Sequence, residues 1–228
     1  MIIDGSRPRI VPVELVAFGF LNAYLLLGER VVVVDAGYPR MATRILAALE
    51  RAAVKPADVS LILLTHGHLD HLGGAKLLRE RLDAPIAIHR LDAPIARAGR
   101  DRPLHGTDLF GRAFAMFAPR TAPAFEPDLV HDGELDLAKF GVAGRTIHTP
   151  GHTPGSVSVL LDDAVVGGDL VAGGFVRRHA PRLPYFADDL EAARRSIALV
   201  AGLTRGPVYV GHRGPLQADD MARRLGSR

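Results

Sequence analysis

Three imidazoles and a carboxylate fall within six consecutive positions of this chain, His66, His68, Asp70 and His71, in the run Thr65-His66-Gly67-His68-Leu69-Asp70-His71. The run directly follows an apolar stretch, Ser60 to Thr65, that reads as a buried strand. Side chains leaving one short loop at such a strand end cannot all face solvent, and neutral imidazoles are good ligands for borderline dications such as zinc. The carboxylate adds the negative charge that makes two adjacent dications tolerable. The sequence contains no cysteine. Thiolate sites, iron–sulfur clusters, disulfides and cysteine nucleophiles are therefore excluded, and any metal must sit on His, Asp or Glu. A loop rich in histidine by chance is the competing reading, and four ligand-type residues in six positions argue against it.

Three later segments carry the same residue types: Thr149-Pro150-Gly151-His152-Thr153-Pro154-Gly155, Gly167-Gly168-Asp169 and Val210-Gly211-His212. In this order the four segments resemble the metallo-β-lactamase superfamily, whose signature is His-x-His-x-Asp-His after a strand, then Gly-His-Thr, an Asp at a strand end and a late His. The resemblance spans Asn22 to His212. It implies an α+β fold, an αββα sandwich of two mixed β-sheets flanked by helices, with the ligands at one sandwich edge. By position it implies that His66, His68 and His152 hold one metal, that Asp70, His71 and His212 hold the other, and that Asp169 bridges them. The implied cofactors are two divalent metal ions, zinc first, with iron or manganese as alternatives. The implied activity is that of a binuclear metal-dependent hydrolase whose metal-bridging hydroxide cleaves an ester, thioester or lactone of a small organic substrate. Asp70 is the implied catalytic proton carrier.

Departures from individual branches narrow this reading towards relatives of glyoxalase II and the lactonases rather than true β-lactamases. A cysteine ligand is impossible, and Asp169 is present where secreted β-lactamases generally lack it. Oxygen-reducing diiron relatives carry Glu where His68 stands, so hydrolysis is preferred. Sixteen residues follow His212, less than the helical region used by glutathione-thioester hydrolases, and Ala172 stands where many lactonases place Tyr. Two alternatives remain: a phosphodiesterase or nuclease of the same fold, and a mono-iron sulfur dioxygenase. A non-catalytic metal-binding protein has little weight, because it would have no reason to keep all seven ligands.

His89, His105, His131, His148 and His179 lie outside the motif positions and are assigned no metal. His148, four residues before His152, is the nearest to a supporting role, and Asp35, at a strand end, is expected to support the first motif.

These residues need a scaffold of alternating elements. Strands are expected over Val13 to Leu27 and Glu29 to Asp35, joined at Gly28-Glu29, then a helix over Arg40 to Ala53, the strand Ser60 to Thr65, a helix to about Arg81, and a strand from Ala84 to His89. Asp92 to Pro127 is rich in Ala, Pro and Arg. Its Phe110, Phe114 and Phe117 share one helical face, which either packs on the core or lines a substrate pocket as a cap. Strands follow over Leu129 to Phe140, Gly144 to His148, Ser156 to Leu161 and Ala164 to Gly167. A helix capped by Asp188 and Glu191 runs to about Leu203, and a last strand covers Gly206 to Val210.

With 228 residues, 48% of them hydrophobic and 23% charged, the chain can bury one sizeable core, so a single domain over 1–228 with a cap or loop insertion around 92–127 is expected. No apolar run approaches the ~20 residues of a membrane span, and the start, MIIDGSRPRIVPVELVAF, shows no secretory signal, so a cytoplasmic location without membrane partners is expected. The net charge is only +3 and basic residues are interspersed with acidic ones, which disfavours a nucleic-acid partner and favours a small-molecule substrate. Homo-oligomerisation is left open.

Overall fold

Strands that are apolar at every position suit a sheet covered on both faces, and the first half of the chain builds one. The computed structural model describes residues 7–225; residues 1–6, part of the start read above for a signal, lie outside the described residues. The first sheet runs in chain order, β1 (Arg9–Val16), β2 (Leu21–Leu27), β3 (Val31–Val34), β4 (Val59–Leu63), β5 (Ile86–His89) and β6 (Leu129–His131). Its first three strands pair antiparallel and the remainder parallel. The parallel crossovers carry α1 (Ala42–Arg51), α2 (Leu69–Leu72), α3 (Ala75–Leu82), α4 (Ala93–Ala98) and α5 (Leu109–Ala115).

The second half supplies β7 (Arg145–His148), β8 (Val157–Leu160), β9 (Val165–Val166), the ribbon β10 (Ala172–Gly173) with β11 (Pro181–Arg182), α6 (Leu190–Leu203), β12 (Pro207–Tyr209), β13 (Leu216–Gln217) and α7 (Ala218–Leu225). The second sheet has the order β13-β12-β9-β8-β7, and only β9 and β12 pair parallel in it. Side-chain alternation sorts the core into layers. Leu25, Leu27 and Val33 meet Ile45, Leu49 and Leu78 of the helices on one side, while Leu26, Val32 and Val34 meet Val159, Leu161 and Val166 of the second sheet on the other. Ile197, Val200 and Met221 of α6 and α7 close the far side. The architecture is thus the expected αββα sandwich of mixed sheets. No helix among the described residues is long and apolar enough to cross a membrane.

Several elements differ from the sequence expectation. Val13 to Leu27 is not one strand: Phe18 and Gly19 take φ of 60° and 67°, which reverses the chain into an antiparallel pair. The strand expected over Leu129 to Phe140 stops at His131, and the carboxylate of Asp136 accepts from Ala138 N to open a 3-10 turn. Helix α6 is capped by Asp189, which accepts from Ala192 N at 2.9 Å, whereas Asp188 lies 3.1 Å from His105 Nδ1. The terminal pair β13 and α7 was not anticipated. Phe110 and Phe114 do share a face of α5, with stacked rings, but Phe117 lies past its end and is exposed.

Three of the unassigned histidines meet between the sheets. His89 stacks on His148 at 4.5 Å and His131 packs edge-on to His89 at 5.8 Å. The groups of metal-type donors close enough to share an ion do not include them among the described residues. Burial, then His89, pushes His131 down to about 4, and burial followed by His148 lowers His89. The folded state therefore binds fewer protons here than the unfolded chain. The associated stability is complete above the ordinary histidine range and is lost as pH falls from about 6.5 through about 4. His131→Asn can still accept the bond that His131 Nδ1 takes from Gly133 N, but it cannot be protonated. Urea midpoints at pH 7.5 and 5 are expected to show that the variant loses less stability on acidification, by of order 1 kcal/mol. An identical loss in both proteins would remove this account.

Candidate metal centre

The seven residues singled out by type converge at one edge of the sandwich because each follows a strand of one sheet or the other. His66 and His68 lie in the loop after β4, Asp70 and His71 on α2, His152 in the turn between β7 and β8, Asp169 just after β9, and His212 just after β12. His66, His68 and His152 offer donor atoms within 4.8 Å of one another, and so do Asp70, His71 and His212. Asp169 reaches both groups, with Oδ2 3.5 Å from His152 Nε2 and 3.1 Å from His212 Nε2, and Oδ1 3.3 Å from His71 Nε2.

Outer contacts aim the rings. Nδ1 of His152 donates to Phe186 O at 2.7 Å and Nδ1 of His212 to Phe20 O at 2.5 Å. His71 Nδ1 meets Asp35 Oδ2 at 2.8 Å. Thr65 Oγ1 donates to Asp35 and so accepts from His66 Nδ1 at 3.0 Å. Asp35 is therefore the support for the first motif that its strand-end position suggested. In these four imidazoles the Nε2 atoms are left to face the centre.

That arrangement tests whether metal ions fit. With their Nδ1 atoms occupied by hydrogen bonds, His66 and His152 turn their Nε2 lone pairs towards each other at 3.1 Å. His71 Nε2 and Asp169 Oδ1 are buried and lie 3.3 Å apart without a hydrogen bond between them or to any other group. Two facing lone pairs and orphaned buried polar atoms are costly unless a cation accepts them. The ionisation pattern agrees. Burial, then His71 and His152, holds His66 well below its ordinary value, and burial, then His152, lowers His68 to about 3. On the other side, burial opposes charge on His71 and His212 but the carboxylates led by Asp169 outweigh it, raising His71 well above the usual range and His212 to about 10. Burial likewise opposes ionisation of Asp70 and Asp169. His71 outweighs it at Asp70, which falls to about 2, and His212 followed by His71 outweighs it at Asp169, which lies well below the carboxylate range. The site demands positive charge, and the donor set suits divalent ions.

Asp92 was missed by sequence reasoning, which used it only to mark where the middle segment starts. It is fully buried, and its carboxylate accepts from Gly67 N at 2.8 Å, Thr153 Oγ1 at 2.6 Å and Gly155 N at 3.2 Å. It clamps the loop bearing His66 and His68 to the turn bearing His152. An Asp just before Ala93-Pro94 reads locally as a helix cap, so nothing in the sequence points to these contacts. His148 does not touch His152; its Nε2 donates to Pro154 O at 2.8 Å and braces that turn.

Beside Asp70 and His212 opens a cleft of about 270 Å³, walled by Phe20, Tyr38, Phe110, Phe114, Tyr185 and Phe186. Asp70 and His212 have side chains 20% and 18% exposed, against 7% for Asp169 and 0% for His71, so they are the members of the cluster that meet an occupant of the cleft.

Residues 16–212 match the family model of the metallo-beta-lactamase superfamily. The chain is 31% identical over 205 residues to the probable metallo-hydrolase YflN of Bacillus subtilis, covering 81% of this chain and 76% of that one. It is 26% identical over 196 residues to the probable metallo-hydrolase MJ0888 of Methanocaldococcus jannaschii, covering 84% and 86%. Among solved structures, the B3 metallo-beta-lactamase BLEG-1 superposes with a TM-score of 0.69 at 24% identity over 95% of this chain and 98% of that one. TTHA1623 in a di-iron-bound form superposes with a TM-score of 0.66 at 27% identity over the same 95% and 98% shares. With its strand order, its convergent histidines and aspartates and its match across nearly the whole length, the chain belongs to the metallo-beta-lactamase superfamily.

Proposed function

We propose that this metal-dependent hydrolase of the superfamily uses two metal ions to cleave an ester, thioester or lactone of a small organic substrate. The carrying observation is Asp169, whose carboxylate lies within 3.5 Å of imidazoles from both donor groups and so suits a bridge. His66, His68 and His152 would hold one ion, Asp70, His71 and His212 the other. Two such ions supply Lewis acidity that activates water and polarises a carbonyl.

The protein's own part is orientation and proton handling. Asp35, Thr65 and the carbonyls of Phe20 and Phe186 hold the imidazoles in one tautomer. Asp70 stays ionised beside His71 and His212, so it can take a proton at a carboxylate oxygen and return it to a leaving group. No Lys or Arg lines the cleft, which favours a carbonyl substrate over a phosphodiester backbone.

Elemental analysis of active protein is expected to find two metal ions per chain, and Asp169→Ala is expected to bring the content to one or fewer at unchanged circular dichroism. Zinc-, manganese- and iron-loaded protein assayed on thioesters, lactones, oxygen esters and phosphodiesters then tests the reaction class. One iron per chain in active protein would replace this reading with the dioxygenase, and turnover of phosphodiesters alone would replace it with the nuclease.

A further inference from the structure

The cleft beside Asp70 has an unusual charge inventory. Its walls come from separate segments: Phe20 from the turn after β1, Tyr38 from the loop after β3, Phe110 and Phe114 from α5, and Tyr185 and Phe186 from the segment after β11. These six are aromatic, and Val16 and Leu21 complete the apolar lining. Besides the neutral phenols of Tyr38 and Tyr185, the ionisable groups lining it are Asp70 and His212, and no Lys or Arg does so. The two arginines that pack on its walls are already committed. Arg182 lies over the Tyr185 ring at 4.3 Å and pairs with Asp108 Oδ2 at 2.5 Å. Arg213 lies over the Phe20 ring at 3.5 Å and donates to the carbonyls of Phe18 and Phe175. Both guanidiniums stiffen walls.

An anion placed against the aromatic walls, away from the end where Asp70 and His212 lie, would therefore give up its hydration without gaining a cation. An apolar group has the opposite balance. Phe110 and Phe114 are 47% and 44% exposed, so an apolar occupant removes their ring surface, and its own, from water. The volume of about 270 Å³ lies just below the usual span of ~300–1,000 Å³ for ligand pockets, which suits one aryl ring or a short alkyl chain rather than a large carrier.

We infer that the substrate presents an uncharged apolar group, alkyl or aryl, to this aromatic cleft, and that the chain selects neutral hydrophobic carbonyl compounds over those bearing a carboxylate or phosphate at that end. This rests on the proposed hydrolase reading for the identity of the reacting bond, but not for the binding itself.

The test uses metal-loaded protein and probes that cannot be hydrolysed: linear methyl ketones of increasing length, and keto acids of matching length with a terminal carboxylate, titrated by calorimetry. Ketone affinity is expected to rise about fourfold per methylene, the equivalent of ~0.8 kcal/mol per buried CH₂, until the cleft is full. The keto acids are expected to bind at least about tenfold more weakly than ketones of the same length. Phe114→Ala should cut the gain per methylene to about twofold or less. Phe114→Arg, which places a cation at the rim, should reverse the preference towards the keto acid. Affinities indifferent to chain length, keto acids that bind as well as ketones, or a Phe114→Arg protein that keeps the original preference would each overturn the inference. If the ketones behave as expected while no ester, thioester or lactone is cleaved, the hydrolase reading fails and the cleft assignment stands. Cleavage combined with indifference to chain length removes the cleft assignment alone.

Discussion

Asp70→Asn is expected to slow the chemical step by ~10²–10⁴-fold while most of the bound metal is retained. The range is that of general acid–base assistance, or about 3–5 kcal/mol of barrier. Asparagine keeps the size of the side chain and an oxygen able to coordinate, but it cannot accept a proton. The substitution therefore separates proton handling from metal holding. A thiolate leaves with less help than an alkoxide, so the deficit should be smaller for a thioester than for the oxygen ester of the same acid. Single-turnover rates on that matched pair, with metal content measured on the same samples, decide the matter. An equal deficit on both esters would deny Asp70 the proton-carrier role, and a deficit that tracks metal loss would reduce it to a ligand.

Gly211→Ala is the second change with a large expected effect, although it adds only one methyl. A Cβ at this position would lie 2.2 Å from Asp169 Oδ1 and 2.5 Å from Cε1 of His71. Both are far inside contact distance; the His71 ring is held by Asp35, and the backbone next to Asp169 is held by the bond from Gly211 N to Gly168 O at 2.8 Å. Relief requires displacement of roughly 1 Å at the two residues that join the donor groups. Misplacement of that size in catalytic groups costs on the order of 10²-fold, and overpacking a tight site adds roughly 1–3 kcal/mol of destabilisation. Turnover is thus expected to fall at least about a hundredfold, with second-site metal content falling in parallel and a lowered melting temperature. Gly202→Ala is the matched control, since a Cβ there meets nothing within 4 Å. A Gly211→Ala protein with normal turnover would show that the edge of the sandwich is far softer than its packing implies.

How much of this was legible in advance depends on the range over which the determining contacts act. The run His66 to His71 and the later His152, Asp169 and His212 were readable because ligand chemistry restricts residue types and strand ends restrict their positions. Strands β3 and β4 were readable because burial on both faces leaves an almost unbroken apolar run. The hairpin at Phe18 and Gly19 was hidden, because apolar residues continue through it and only the positive φ of two residues breaks the strand. Asp92 was hidden for a different reason. Its partners lie 25 to 63 residues away in sequence, and its local setting before Ala93-Pro94 matches an ordinary helix cap. The carbonyls of Phe20 and Phe186 that aim His212 and His152 carry no side-chain signature at all.

Phe186 serves two neighbours through different parts of itself. Its carbonyl receives His152 Nδ1, and its ring forms part of the aromatic wall. The segment around it is stitched to the approach to α5 by backbone bonds from Thr107 N to Tyr185 O and from Ala187 N to His105 O. Point changes in the ring at 186 can therefore reshape what the wall admits while the main chain keeps its hold on the imidazole. Insertions or deletions between 182 and 187 cannot, since a shift of one residue would swap the carbonyl offered to His152 and slide α5 in the same stroke. Across diverging relatives, this stretch should accumulate substitutions freely and resist changes in length.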